Sequence, residues 1–177
     1  MRGFTLMELL VVIAIFSIAI GAISGIFVSG LSSQRRVLAE QEILNQISYV
    51  IEYMGRAIRM AKKDDIRIGD TEKHCLSGEK VNYEVSSDKT KITFRNYQNQ
   101  CQSFYVSSTQ IFEDKDGTTS DLTSPKMKVN TLKFEISGQG QEDNLQPRVT
   151  ISIEVENRGR KLQFQTTVSQ RDIDVQY

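Results

Sequence analysis

The sequence predicts an α+β chain: a long N-terminal helical spine, membrane-spanning in its first half, packed over its second half by an antiparallel β head. Three observations predict it. Residues 9–34 form a run of 26 without a charge, and 9–28 is apolar apart from Ser17, Ser24 and two glycines. From Val37 onward apolar residues recur at helical spacing, and no proline interrupts 4–63. Beyond Lys63 the apolar period changes to two, the period of a half-buried strand.

About 20 consecutive apolar residues let a helix cross the hydrocarbon of a bilayer while satisfying its own backbone. The run is too long for a conventional secretory signal, and only Arg2 stands ahead of it as a basic residue. Glu8 is out of keeping with such a span. An unpaired carboxylate near a membrane interior is expensive, so it calls for a partner and a purpose.

The helix is expected to continue past the span. Val37, Leu44, Ile47, Ile51, Met54, Ile58 and Ala61 form a stripe with a mean step of about 3.5 residues, widened by Ile43, Val50 and Ala57. This stripe reads as the face that docks the head. Glu52 and Arg56 stand at i,i+4 in the favourable order on a solvated flank. At about 1.5 Å per residue, 4–63 would make a helix of about 90 Å. Gly21, Gly25 and the Ser29-Gly30 pair are its soft points, and Gly21, Gly25 and Ser29 make a small-residue ridge for close helix approach.

In the head, Val81, Tyr83 and Val85 alternate, as do Ile92 and Phe94, with a polar turn between them; this reads as a hairpin pairing Val85 with Ile92 and Tyr83 with Phe94. Phe104, Val106 and Ile111 mark a weaker strand pair. Leu132, Phe134 and Ile136 alternate, then Val149, Ile151, Ile153 and Val155, then Leu162, Phe164 and Val168. Setting Val155 opposite Leu162, Ile153 opposite Phe164 and Val149 opposite Val168 puts every large apolar side chain on one face. The turn then centres on Arg158-Gly159. Ile136 opposite Val149 and Leu132 opposite Ile153 complete a three-stranded meander. Met127 and Val129 have the opposite parity to Leu132, which predicts a bulge near Asn130-Thr131.

The 22 basic and 22 acidic residues balance, so bulk charge gives no attraction for nucleic acid, which is not expected as a partner. No enzyme, cofactor or metal site is predicted. His74 is the only histidine, and no Gly-x-Ser-x-Gly or zinc-ligand spacing occurs. Asp114, Asp116 and Asp121 offer hard oxygen ligands, but the third ligand of an EF-hand loop and its bidentate glutamate are missing. The stretch 113–121 therefore reads as a solvated acidic turn, with calcium as the other reading. Arg56, Arg59, Lys62 and Lys63 complement the dipole at the helix end. Phosphate contact, the other reading of these four, lacks the aromatic interleaving of single-strand binders.

Gly3, then Phe4-Thr5-Leu6-Met7-Glu8-Leu9-Leu10, then the apolar helix, resembles the class III signal sequence of type IV pilins and type II secretion pseudopilins. The resemblance implies that a prepilin peptidase cuts between Gly3 and Phe4 and methylates the new amine of Phe4. It also implies that Glu8 neutralises the positive terminus of a neighbouring subunit as helices pack into a filament. An ammonium and a carboxylate that are each costly in lipid become tolerable as a pair. Segments 132–134, 146–151 and 164–171 look like the C-terminal part of minor pseudopilins. No cysteine follows Cys101, so the C-terminal disulfide loop of many major pilins is absent, and Glu8, which some tip-capping subunits lack, is kept. The implied protein is a minor subunit of a type IV pilus or type II secretion-like pseudopilus. Its organisation would be a leader at 1–3, a membrane and filament-core helix at 4–30, an amphipathic continuation at 31–63 and a β head at 64–177. Implied partners are other pilin or pseudopilin subunits, the prepilin peptidase and the inner-membrane assembly platform. The implied location is the cytoplasmic membrane, N-terminus inside, before assembly, and a periplasmic or cell-surface filament afterwards. The alternative is a membrane-tethered extracytoplasmic β domain that binds a ligand or partner without assembling.

Cys75 and Cys101 flank the first hairpin. Its register sets position 75 against 102, one residue out of line, and Ser77-Gly78 could supply the missing bulge. In an exported domain the pair reads as a disulfide stapling the loosest part of the head, two free thiols being the alternative.

Overall fold

A computed structural model describes residues 3, 5–64, 74–77, 81–139, 145–157 and 159–171. The chain divides into two compact units, Met1–Gln41 and Glu42–Tyr177. A single helix, α1 (Leu6–Arg59), begins in the first and ends in the second.

In the first unit the helix starts on Thr5, whose hydroxyl accepts the backbone N–H of Glu8 at 3.3 Å. This Thr-x-x-Glu arrangement is the sequence pattern of a capping box, and it satisfies one of the free N–H groups of the first turn. The segment that follows is long and apolar enough to cross a membrane, and its apolar stretch is not buried. Ser17 does not spoil it, because its hydroxyl donates to the Ile13 carbonyl at 2.8 Å.

In the second unit the last turns of α1 form the centre of the core. Ile43, Ile47, Val50, Met54 and Ile58 are fully buried, in steps of four, three, four and four. The expected stripe was offset by about one position, for Val37 and Leu44 are 49% and 44% exposed. Both adjacent rows, 43/50 and 44/51, are apolar, so spacing alone could not centre it. The helix also ends at Arg59, four residues before the expected Lys63. After Met60 the backbone turns to the sheet: Lys62 N donates to Arg95 O and Asp64 N to Val81 O. The Arg59 carbonyl accepts from Arg171 N, and the Ile58 carbonyl from the Tyr83 hydroxyl, which fastens the helix end.

Two antiparallel sheets cover this half-helix. The first is a meander of β1 (Tyr83–Val85), β2 (Lys91–Arg95), β3 (Cys101–Ser107), β4 (Gln110–Lys115) and β5 (Thr118–Asp121). The second runs β6 (Lys128–Ser137), β7 (Arg148–Asn157), β8 (Arg160–Ser169). Tyr83, Ile92, Phe94, Phe104 and Ile111 from the first meet Leu132, Phe134, Val149, Ile151, Ile153 and Val155 from the second around the helix. The registers agree with the alternation in the sequence: Val85↔Ile92, Val149↔Val168, Val155↔Leu162 and Leu132↔Ile153, with the register shift between Val129 and Thr131. Gly159 sits at φ +77 in the β7–β8 turn, while Arg158 lies outside the described residues.

Segment 113–121 differs from the expectation of an acidic turn. It is a hairpin, with β4 and β5 joined by Asp116 and Gly117 at φ +49 and +87. Both φ values are positive, as a two-residue turn between twisted strands requires. All four residues of β5 are exposed, so no apolar face announces it.

Candidate functional site

Of the residues that carry the N-terminal motif, Phe4 lies outside the described set, and Gly3 and Glu8 are exposed. Glu8 occupies the first turn of α1, where a carboxylate complements the positive end of the helix dipole. From Leu6 to Val28 large apolar side chains face outward, Ile18 at 74% and Ile26 at 75% exposed. A side chain built at Gly21, Gly25 or Gly30 would meet nothing within 4 Å. No contact among the described residues therefore requires glycine at these positions. Thr5 was not among the expected functional residues; the Thr-x-x-Glu spacing ahead of an apolar run was the signal that could have found it.

The head carries a second constellation around Asp64. Its carboxylate is fully buried and meets the Arg95 guanidinium at 2.8 Å. Its other oxygen accepts the backbone N–H groups of Cys75 and Leu76 at 2.8 and 3.0 Å. His74 Nδ1 stands 3.8 Å from the same carboxylate. Cys75 is joined to Cys101, at the start of β3, by a disulfide with Cα atoms 5.2 Å apart. Ser77 is held in turn by Glu84, whose carboxylate accepts from its amide and hydroxyl and is thereby kept below the ordinary glutamate range. The segment 74–77 is thus pinned to β1 through Glu84, to β3 through the disulfide, and to Asp64, which the Arg95 guanidinium of β2 holds in turn.

Three acidic side chains of 113–121, Glu113, Asp114 and Asp116, have structural partners, while Asp121 is exposed at the end of β5. Asp114 accepts from Gly117 N and the Thr119 hydroxyl, and Asp116 from Cys101 N. Glu113 is buried and accepts from the Tyr53 hydroxyl at 2.8 Å and from Gln102, with the Lys115 ammonium at 3.1 Å. Burial raises the Tyr53 pKa; the Lys115 hydrogen bond pulls it down, and the neighbouring Glu113 raises it further. For Lys115 burial works against the ammonium, but its bonds to Tyr53 and Glu113 outweigh that and hold its pKa above the usual lysine value. Among the described residues no group of three or more His, Cys, Asp or Glu side chains could hold a metal ion.

These arrangements are suited to holding a fold and presenting a surface. The N-terminal segment, with an exposed apolar helix led by one acid, is suited to burial among other apolar helices. Comparison with known proteins bears on that segment. Residues 1–24 match the family model described as the prokaryotic N-terminal methylation motif. No curated protein and no solved structure matches the chain. The motif supports the type IV pilin and pseudopilin family and points to a chain processed by prepilin peptidase, anchored in a membrane by its apolar helix.

Proposed function

We propose that this chain is a minor structural subunit of a type IV pilus or type II secretion-like pseudopilus. The observation that carries the reading is the match of residues 1–24 to the methylation motif at the head of an exposed apolar helix. Residues 1–3 are the leader, removed by cleavage between Gly3 and Phe4, and the Phe4 amine is methylated. The subunit waits in the cytoplasmic membrane with its N-terminus inside. It is then extracted by the assembly platform and packs its helix among those of neighbouring subunits.

Within that helix Glu8 sets register. Its carboxylate pairs with the Phe4 ammonium of an adjacent subunit, so that two groups costly in an apolar medium enter it together. The glycine positions, open on every side in the chain itself, allow a neighbouring helix to approach closely. Substitution of Glu8 by valine tests the role directly. Filaments containing the subunit are expected to be lost while the membrane-held precursor accumulates; assembly at the normal level by Glu8→Val would remove Glu8 from the mechanism.

A further inference from the structure

One long sheet edge of the head stands open, and the filament reading makes no use of it. β8 is the outer strand of the second sheet, paired with β7 over ten residues without a register shift. Gln170 N donates to Pro147 O, one step beyond the Arg148↔Ser169 pair, so the even-numbered residues of β8 bond towards β7. Backbone groups of an antiparallel strand alternate in direction, so Lys161, Gln163, Gln165, Thr167 and Ser169 turn their N–H and C=O outward. Arg171 continues that series, and its N–H meets the Arg59 carbonyl at the end of α1. The residues before it in the series have no backbone partner on that side among the described residues.

Such an edge is a template for another strand, and proteins commonly shorten it, charge it, cover it or break it with proline. The other edges follow that rule. β1 and β5 have three and four residues, and Val129 and Phe134 of β6 donate to Thr109 and Lys89. β8 has no proline, and its only charges, Arg160 and Lys161, stand at one end. Beside it a groove of about 370 Å³ runs between the strand and α1, with Ile51, Gly55, Thr166 and Val168 in its lining. Leu162 and Phe164 are half-buried on the same face of the strand. A row of main-chain donors and acceptors beside an apolar strip is matched by an extended polypeptide with apolar side chains at every second position. A helix has already used its own main-chain groups, and a lipid tail has none, so neither answers the row.

Residues 172–177, outside the described set, read Asp-Ile-Asp-Val-Gln-Tyr, a sequence that alternates in this way. We infer that this segment of one copy adds as a strand to β8 of a second copy. Ile173, Val175 and Tyr177 then fall opposite the even-numbered residues of β8, over the groove, because directly opposed residues share a face. Asp172, Asp174 and Gln176 fall opposite the outward-bonding row, whose one charged side chain is Lys161, so no carboxylate is set against another. The segment does not serve its own β8: a returning strand would begin at Arg171, where the edge is already bonded to Arg59. Pairing of two β8 strands about a two-fold axis would turn one α1 against the other, whereas helices held in one membrane point the same way. A head-to-tail contact carries no such reversal.

The test compares the full chain in detergent micelles with a chain ending at Arg171, which keeps α1 and both sheets. It needs no assembly machinery, so its outcome is separate from that of the filament reading. Amide hydrogen exchange along β8 is followed over a range of protein concentrations. Protection of the Gln163, Gln165 and Thr167 amides is expected to rise with concentration in the full chain and to stay low in the shortened one. A synthetic peptide of residues 172–177 is expected to restore it to the shortened chain. Val175→Asp in that peptide should weaken its binding by about tenfold or more, since a carboxylate would enter the apolar groove. Gln165→Pro in the full chain removes an outward N–H and leaves the β7 ladder whole, so it is expected to abolish the protection at an unchanged urea midpoint. Protection absent at every concentration, or a peptide without effect, would overturn the inference. So would protection independent of concentration, which would assign the segment to its own β8, and equal protection in the shortened chain, which would mean that β8 pairs with β8.

Discussion

The Asp64–Arg95 pair is the feature of the head whose removal has the most calculable effect. Asp64→Ala deprives a guanidinium that is 10% exposed of its carboxylate, and removes the acceptor of two backbone N–H groups, those of Cys75 and Leu76. Breaking a buried pair by removing one partner costs about 3–5 kcal/mol. The two amides add to this, but Cys75 is only half-buried and can turn to water, so the total is placed at about 4–5 kcal/mol. That is comparable with the whole stability of a modest domain, about 5–15 kcal/mol. Asp64→Asn keeps an acceptor for the amides and loses the charge, so a smaller cost is expected. Asp64→Leu combined with Arg95→Met exchanges the pair for apolar volume and is expected to recover most of the loss. Urea unfolding of the full chain in micelles, followed by the near-ultraviolet circular dichroism of its tyrosines, reads the four proteins. The midpoint should shift by the free energy divided by the slope. A cost below about 1 kcal/mol for Asp64→Ala, or a double variant no better than the worse single one, would show that the pair is not the buried, coupled unit described.

Three further outcomes are expected. Replacing Cys75 and Cys101 by serine opens a link spanning 26 residues. The chain-entropy relation puts the loss at about 3.5 kcal/mol, read as a lower urea midpoint; an unchanged midpoint would contradict it. Asp88, which accepts from the hydroxyls of Ser86 and Thr90, is held at a pKa of about 2 by those bonds. A depressed carboxylate of this kind supports the fold above the ordinary aspartate range, and that support is lost as pH falls towards 2. Carboxyl titration by NMR should therefore give a midpoint near 2 for Asp88 that rises in Ser86→Ala. In the two-residue turn between β3 and β4, Ser108 and Thr109 sit at φ +47 and +74, a conformation β-branched residues resist. Thr109→Gly keeps the Thr109 carbonyl that Val129 N donates to and should stabilise the head by about 1 kcal/mol; a lower melting temperature would contradict the strain.

What the sequence shows depends on how the chemistry is distributed along it. The registers of β6, β7 and β8 were legible because Leu132–Ile136 and Val149–Val155 alternate without exception, and a slip of one residue would turn every one of them to water. The long helix was legible for the same reason, although the side-by-side apolar rows blurred which face was central. β5 was not legible by periodicity, since Thr118–Asp121 buries nothing. The Asp116-Gly117 pair ahead of it was the available sign of a hairpin. Asp64 gave no sign at all. A buried carboxylate is defined by what surrounds it, and its partners, Arg95, Cys75 and Leu76, are brought to it only by the fold.

The claim on which the functional account depends is processing at the N-terminus, and intact mass measures it most directly. The full chain is expressed with and without a prepilin peptidase that cleaves a control substrate in the same cells, and the membrane fraction is weighed. The account predicts loss of Met1–Gly3 together with the gain of one methyl group on Phe4, only when the peptidase is present. An unchanged mass beside an active peptidase, or a cut elsewhere such as near Gly30, would contradict it.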